Sequence, residues 1–320
     1  MRIFITGGAG FIGSNLVKVI LGEDRDISVV VYDNFSSGKK SHFEDIREAG
    51  NFTIIEADIK DLAQLTHAMK GADIVYHFAS NPDISKALID PQIDFREGTL
   101  LTNNIVEAMR LNNIKKLLYA SGSGVYGETG DLEVSENYST NQPISTYGAS
   151  KIAGEALICA YCHMFEMSAV AFRFANVVGP NQTHGVGYDF INKLRNNPRE
   201  LLILGDGTQS KSYIYITDAV NAMRLIEKNF SLGYTCYNIA TNDYITVKEI
   251  ADMAVEAMGL KDVTYRYTGG DRGWRGDVPI VRLDSDKIRK LGWTNEYSSK
   301  EAMHRSVILM LEDFKLKRLS

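Results

Sequence analysis

The 320-residue chain has three cysteines, six prolines, no long apolar run and little excess charge, and each of these shortages excludes something. Cys159, Cys162 and Cys236 are too few for a disulfide framework, and an odd number leaves one thiol unpaired. Cys159 and Cys162 form a C-x-x-C, but inside AGEALICAYCHMF, which reads as mid-helix and not as the strand-to-helix turn of a redox motif. They are expected to be buried structural thiols, and no metal site is expected. No stretch approaches the roughly 18 apolar residues of a membrane span. The opening MRIFITGGAG has no basic region ahead of an apolar core, so no secretory signal is expected and the expected location is the cytoplasm. With 35 basic against 40 acidic residues the net charge is -5, which offers no general attraction to nucleic acid or anionic lipid. Any phosphate must therefore be held by a local device. At 44% hydrophobic and 23% charged residues the composition is that of a folded protein, of a length suited to one large or two closely joined domains.

What the chain does have is alternation. Residues 2–6, ISVVVY (27–32), FTIIE (52–56), ADIVYHF (72–78) and KLLYA (116–120) read as buried strands. Residues 11–21, 62–70 and about 103–111 read as the helices between them. Strands alternating with helices predict an α/β fold, a Rossmann-type doubly wound parallel sheet with right-handed crossovers. After Arg173 the pattern loosens into turn-rich stretches, which predicts a smaller, mostly helical C-terminal lobe. The expected division is 1–173 plus about 213–240 for cofactor, and about 174–212 plus 241–320 for substrate. The aromatic stretch Tyr213–Tyr215 reads as core strand and His77 as a packed strand residue.

Two constellations carry chemistry. Gly7-Gly-Ala-Gly10-Phe-Ile-Gly13 lies directly between a strand and a helix, the dinucleotide fingerprint. Gly7 permits the tight turn, Gly10 lets backbone approach a pyrophosphate, and Gly13 allows close packing, while the helix N-terminus attracts the phosphates. Asp33 ends the second strand, 20 residues after Gly13, where a carboxylate accepts from ribose hydroxyls and repels a 2′-phosphate, which predicts NAD and not NADP. Asp58 and Ile59 are placed to flank adenine, and 77–80 (HFAS) to run beneath the phosphates. Later, Tyr147-Gly-Ala-Ser-Lys151 puts a phenol and an ammonium at i and i+4, on one helix face. Beside a Lys and a cationic nicotinamide, the phenolate is expected to be stabilised and to serve as a base.

With these motifs the chain resembles the extended short-chain dehydrogenase/reductase family, in its nucleotide-sugar epimerase/dehydratase branch, and looks most like the UDP-glucose 4-epimerases. The resemblance rests on TGGAGFIGSNL (6–16), YDNFSSG (32–38), SGSGVYGE (121–128), YGASKIAGE (147–155), RFANVVGP (173–180), LGDGTQSKSYIYITD (204–218), RGDV (275–278) and LGW (291–293). It implies a tightly bound NAD, a nucleotide sugar in a cleft between two domains, and 4-epimerisation through a 4-keto intermediate. Tyr147 would take the proton of the 4-hydroxyl, and Lys151 would hold the nicotinamide ribose. The implied cofactor set is Gly7, Gly10, Phe11, Ile12, Gly13, Asp33, Asn34, Ser36, Ser37, Gly38, Asp58, Ile59, Phe78, Ala79, Ser80, Tyr147, Lys151 and Phe174. The implied substrate set is Ser123, Tyr147, Asn176, Lys211 and Arg275, with a UDP-sugar as ligand. A homodimer through about 99–111 and 150–165 is also implied.

The departures matter as much. The Ser or Thr expected three residues before the Val of V-Y-G is Gly122 here, flanked by Ser121 and Ser123, and either serine is a candidate for the missing hydroxyl. Where the dehydratase branch carries Asp-Glu stand Ser123 and Gly124, so epimerisation is favoured over 4,6-dehydration. The phosphate-gripping Arg is replaced by Lys211, a point charge without the guanidinium fork. Arg275, and less so Arg272, can supply that fork. Gly98 stands where a cofactor-touching Asn is usual. Two alternatives remain: a 4-ketosugar reductase, which would release its cofactor, and a non-catalytic NAD-binding protein.

Overall fold

Short apolar runs rich in Val and Ile, too short for buried helices, become the strands of a parallel sheet whose two faces are both covered. The computed structural model describes residues 1–46, 49–138 and 142–315. It contains β1 (Arg2–Thr6), α1 (Phe11–Glu23), β2 (Ser28–Asp33), β3 (Phe52–Glu56), α2 (Leu62–Ala68), β4 (Ile74–His77), α3 (Leu100–Leu111), β5 (Lys116–Gly122), α4 (Thr146–Phe165), β6 (Ser168–Phe174) and β7 (Tyr234–Ile239). These seven strands form one sheet in the order β7-β6-β5-β4-β1-β2-β3. β1 pairs in parallel with both β2 and β4, β2 with β3, and β4 with β5. At the other edge Ala169 N donates to Gly233 O and Ala175 N to Ile239 O, so the register of β6 and β7 advances in one sense. The order reverses between β1 and β4, and in open α/β sheets ligands bind beyond the strand ends at such a point. The core confirms the reading of the apolar runs: Ile3, Phe4, Ile5, Val29, Val31 and Val75 are fully buried.

By internal packing the chain divides into two units, 1–125 with 146–173 and 223–237, and 126–145 with 174–222 and 238–320. The segments 126–145 and 213–222 therefore belong with the second unit, contrary to the boundaries expected. Their pairings explain why: Glu133–Val134 pairs with Arg282–Leu283, and Tyr213–Tyr215 with Asn176–Val178. The second unit is not mostly helical as expected: short strand pairs and irregular segments accompany its three longer helices, Val186–Asn196, Val247–Ala257 and Ser299–Lys315, which pack on one another. Thr246 and Glu249 close a capping box at the start of Val247–Ala257. Tyr213–Tyr215 is a buried strand. The three cysteines are free, and burial pushes the Cys162 thiol up to about 11, which leaves it inert. Among the described residues no helix is long and apolar enough to cross a membrane.

His77, at the end of β4, is 1% exposed, with Nδ1 2.8 Å from Thr6 Oγ1 and Nε2 3.3 Å from Thr102 Oγ1. Burial, and then the charge of Lys151, pushes its pKa down to about 3. The unfolded chain takes up this proton near pH 6.5 while the folded one does not, so stability present at neutral pH is lost as pH falls between those values. In urea unfolding, the wild type should lose stability relative to His77→Gln as pH falls from about 6.5 toward 3; an unchanged gap would mean that His77 takes up its proton in the folded protein as well.

Candidate active site

The glycine-rich turn is built by close approach. Gly7 has φ +65°, and a Cβ there would lie 2.5 Å from Ala79 N, just past β4. A Cβ on Gly13 would lie 2.6 Å from Gly8 Cα, so α1 packs onto its own turn. Gly8, which the motif leaves unassigned, presses on Val31 at 2.8 Å by the same measure. Gly10 differs: its Cβ would meet just Gly7 O, at 3.2 Å, leaving that face of the turn as bare backbone among the described residues. There α1 starts without a side-chain cap and without an acidic residue in its first turn, so its free N–H groups suit an anion.

Asp33, 8% exposed, accepts from Ala9 N (2.9 Å) and Phe35 N (2.8 Å), and burial raises its pKa against those two bonds. The loop beyond it folds back on the turn. Asn34 Nδ2 donates to Asp58 Oδ2 (3.3 Å), Ser36 N donates to Asn34 Oδ1 (3.0 Å), and a Cβ on Gly38 would lie 2.7 Å from Ala9 Cβ. Ile59 is buried, and Phe78 stacks on Tyr76. The turn, Asp33 with 34–38, Asp58 with Ile59, and 78–80 thus stand at or just beyond the C-terminal ends of β1 to β4 in the first unit. A bare-backbone cradle, an uncapped helix and a carboxylate at the end of β2 fit a dinucleotide.

On α4 the helical period places Tyr147, Lys151 and Glu155 on one face. Lys151 is 3% exposed and donates to Ala120 O at 2.7 Å. Its Nζ lies 5.0 Å from the ring centre of Tyr119 and 5.5 Å from that of Tyr147. Burial pulls the Lys151 ammonium down to about 8, against Glu155 and Asp94. The stabilised phenolate expected for Tyr147 is not what the protein side chains by themselves produce. Desolvation, and then the charge of Asp94, pushes its phenol up to about 12. Lys151 faces the ring and hydrogen-bonds a carbonyl instead, so its charge does not prevail.

The two candidate serines separate. Ser121, 5% exposed, donates to Glu155 Oε1 at 2.5 Å. Glu155 also takes the Arg173 fork (3.1 and 2.6 Å) and the Tyr234 hydroxyl (2.8 Å). Ser121 and Arg173 are thereby committed to a buried network. Ser123 is half-buried in the turn after β5, and this turn seats on α4, where a Cβ on Gly124 would lie 3.7 Å from Tyr147 Cδ1. Gly98 has a steric role: a Cβ there would lie 2.8 Å from Ser150 Oγ, so the turn before α3 closes tightly on α4.

Phe174, Asn176, Lys211 and Arg275 belong to the second unit. Phe174 is buried, and Asn176 Nδ2 donates to Ser212 O at 3.3 Å. Lys211 is paired with Asp277 at 2.7 Å, and Arg272 with Glu128 at 2.6 Å. Asp277 lies within RGDV, but nothing in the spacing announced its pairing with Lys211. Arg275 is exposed.

An α/β protein with a dinucleotide turn at its topological switch point and a Tyr/Lys pair on the helix after β5 is a short-chain dehydrogenase-type enzyme. Residues 3–240 match the NAD dependent epimerase/dehydratase family, and the chain belongs to that family, with NAD as its cofactor. A crystal structure of UDP-galactose 4-epimerase is 35% identical, with a TM-score of 0.87, covering 98% of this chain and 99% of its own. The UDP-glucose 4-epimerase of Thermus thermophilus, solved with NAD, is 29% identical, with a TM-score of 0.85 and coverages of 97% and 99%. The dTDP-D-glucose 4,6-dehydratase of Homo sapiens is 27% identical over 98% of this chain and 91% of its own.

Removing the Asp33 carboxylate should weaken NAD far more than NADP. Calorimetric titration of Asp33→Ala should show the NAD:NADP affinity ratio falling by about tenfold or more, as loss of a charge-assisted hydrogen bond requires. An unchanged ratio would remove Asp33 from cofactor choice.

Proposed function

We propose that this chain is an NAD-dependent 4-epimerase of nucleotide sugars, acting on a UDP-sugar. The observation that carries this reading is the turn beside Tyr147. Ser123 and Gly124 occupy the two positions where the dehydratase branch carries Asp and Glu, and Gly124 lies against Tyr147. Elimination of a 6-hydroxyl needs an acid and a base at those positions, whereas inversion at C4 needs a single proton carrier. The names of the relatives lend support, since two of the three described above act on UDP-sugars.

In this reading the first unit holds NAD and the second the nucleotide end of the substrate. Bound NAD supplies a reversible hydride acceptor, which makes C4 of the sugar transiently trigonal. Tyr147 takes the proton of the 4-hydroxyl and returns it after the ketone has turned. Lys151, cationic below about pH 8, holds the cofactor ribose and fixes the Tyr147 ring. Ser123 donates to the 4-oxygen, since Ser121 is spent on Glu155. Asn176, Lys211 and Arg275 receive the diphosphate end, with Lys211 exchanging part of its pairing to Asp277. A cytoplasmic homodimer through α3 and α4 completes the proposal.

NAD-loaded protein should convert UDP-galactose to UDP-glucose, or another member of a UDP-, GDP-, CDP- and dTDP-sugar panel to its C4 epimer, as followed by NMR. A 4-keto-6-deoxy product would make it a dehydratase, and no inversion with any sugar would end the epimerase reading. Tyr147→Phe should lower kcat by about 10²–10⁴-fold with NAD still bound. Ser123→Ala should lower kcat at unchanged melting temperature, whereas Ser121→Ala should act mainly by lowering the melting temperature. The reverse pattern would exchange the two roles.

A further inference from the structure

The cofactor end of the first unit holds charges that the glycine-rich turn leaves without a task. Asp33 and Glu56 are register partners on the parallel strands β2 and β3, so their side chains share one face, about 4.8 Å apart at the backbone. Asp33 Oδ1 accepts from Phe35 N at 2.8 Å, and Phe35 turns back with φ +55°, a left-handed conformation uncommon for an aromatic residue. Lys40 Nζ lies 5.1 Å from the centre of the Phe35 ring and donates to Glu56 Oε2 at 2.5 Å. Asp33, Phe35, Lys40 and Glu56 thus close a ring around the C-terminal ends of β2 and β3. Lys60, just beyond β3, is likewise held, by Glu97 at 2.6 Å. Lys40 and Glu56 are both more than half exposed and border a cleft of about 340 Å³ lined also by Phe43, Phe52 and Ile54. Neither is locked by packing, and a pair so open to water adds little to stability.

We propose that Glu56 is a second determinant of NAD over NADP, acting by holding Lys40 in an ion pair beside Asp33. This rests on the reading of Asp33 as the ribose carboxylate. A 2′-phosphate on that ribose brings about two negative charges to the face that Asp33 and Glu56 share. A lysine ammonium is a good phosphate ligand on a flexible stem, so a free lysine there would offset the repulsion from Asp33. Paired with Glu56, Lys40 adds no net charge, and reaching for a phosphate costs it both the carboxylate and the face of the Phe35 ring. Asp33 repels the extra phosphate, and Glu56 withholds the cation that would accept it. NAD carries a hydroxyl at that position, which needs an acceptor and no cation, so the pair leaves NAD unaffected.

The test reads bound nucleotide and not turnover. Purified holoenzyme is equilibrated with NAD and NADP together, and the nucleotides that stay bound are released and quantified by chromatography. Glu56→Gln should raise the bound NADP:NAD ratio about three- to tenfold at unchanged melting temperature, and by less as added salt screens the freed ammonium. In the Lys40→Met background the same substitution should raise the ratio less than about twofold, because no ammonium is left to release. Both measurements are repeated on Asp33→Ala, where relief of the repulsion makes bound NADP easier to quantify. A ratio that Glu56→Gln leaves unchanged both with and without Asp33 would overturn the proposal. So would an equal rise with and without Lys40, which would make Glu56 a plain repulsive charge. If Asp33→Ala by itself leaves the ratio where it was, the reading of Asp33 fails, and the Glu56–Lys40 pair is still decided by its own change.

Discussion

A lysine ammonium held out of water is the constraint around which the first unit is arranged. Lys151 is 3% exposed, and stripping a cation of water costs several kcal/mol unless dipoles and opposite charges replace it. The replacements are specific: the Ala120 carbonyl at the end of β5, the faces of Tyr119 and Tyr147, and two carboxylates that bear on it, Glu155 and Asp94. Each carboxylate is itself tied, Glu155 to Ser121, Arg173 and Tyr234, and Asp94 to Asn81 and Thr146. Satisfying one buried charge therefore fixes α4 against β5, β6, β7 and the turn before α3. The Tyr147 phenol is placed as a consequence.

The cofactor end follows a different logic, in which side chains are excluded. Gly7, Gly8 and Gly13 each sit where a Cβ would lie under 3 Å from a neighbour, and Gly10 is left as bare backbone at an uncapped helix N-terminus. With a net charge of -5, bulk charge offers phosphate no attraction, whereas the oriented N–H groups of an uncapped helix start suit it. In the second unit the cations are handled sparingly: Lys211 and Arg272 each carry a carboxylate partner, and Arg275 is exposed.

Much of the fold was legible because local patterns and global architecture agree. The runs 2–6, 52–56 and 116–120 became strands, and the fingerprint fell between β1 and α1. The Tyr/Lys pair was legible for the same reason, since i and i+4 share a helix face whatever the helix packs on. Other features were not. Ser121 and Ser123 look equivalent in the chain, yet they differ wholly once β5 places Ser121 beside Glu155, 34 residues on. Asp94 carries no motif, and its burial follows from meeting Asn81 and Thr146, the latter 52 residues away. Spacing shows Lys151 near Tyr147 but not that it faces the ring, nor that desolvation raises the phenol when the protein side chains act alone.

The sequence by itself determined the parallel α/β architecture, the NAD turn and the identity of the Tyr/Lys pair, because short-range steric rules and helical periodicity suffice for each. Only the tertiary structure decided which serine is free, which cations are already paired, where the two units divide, and how strongly Tyr147 holds its proton. Those depend on desolvation and on partners distant in sequence, and both exist only once the chain has folded.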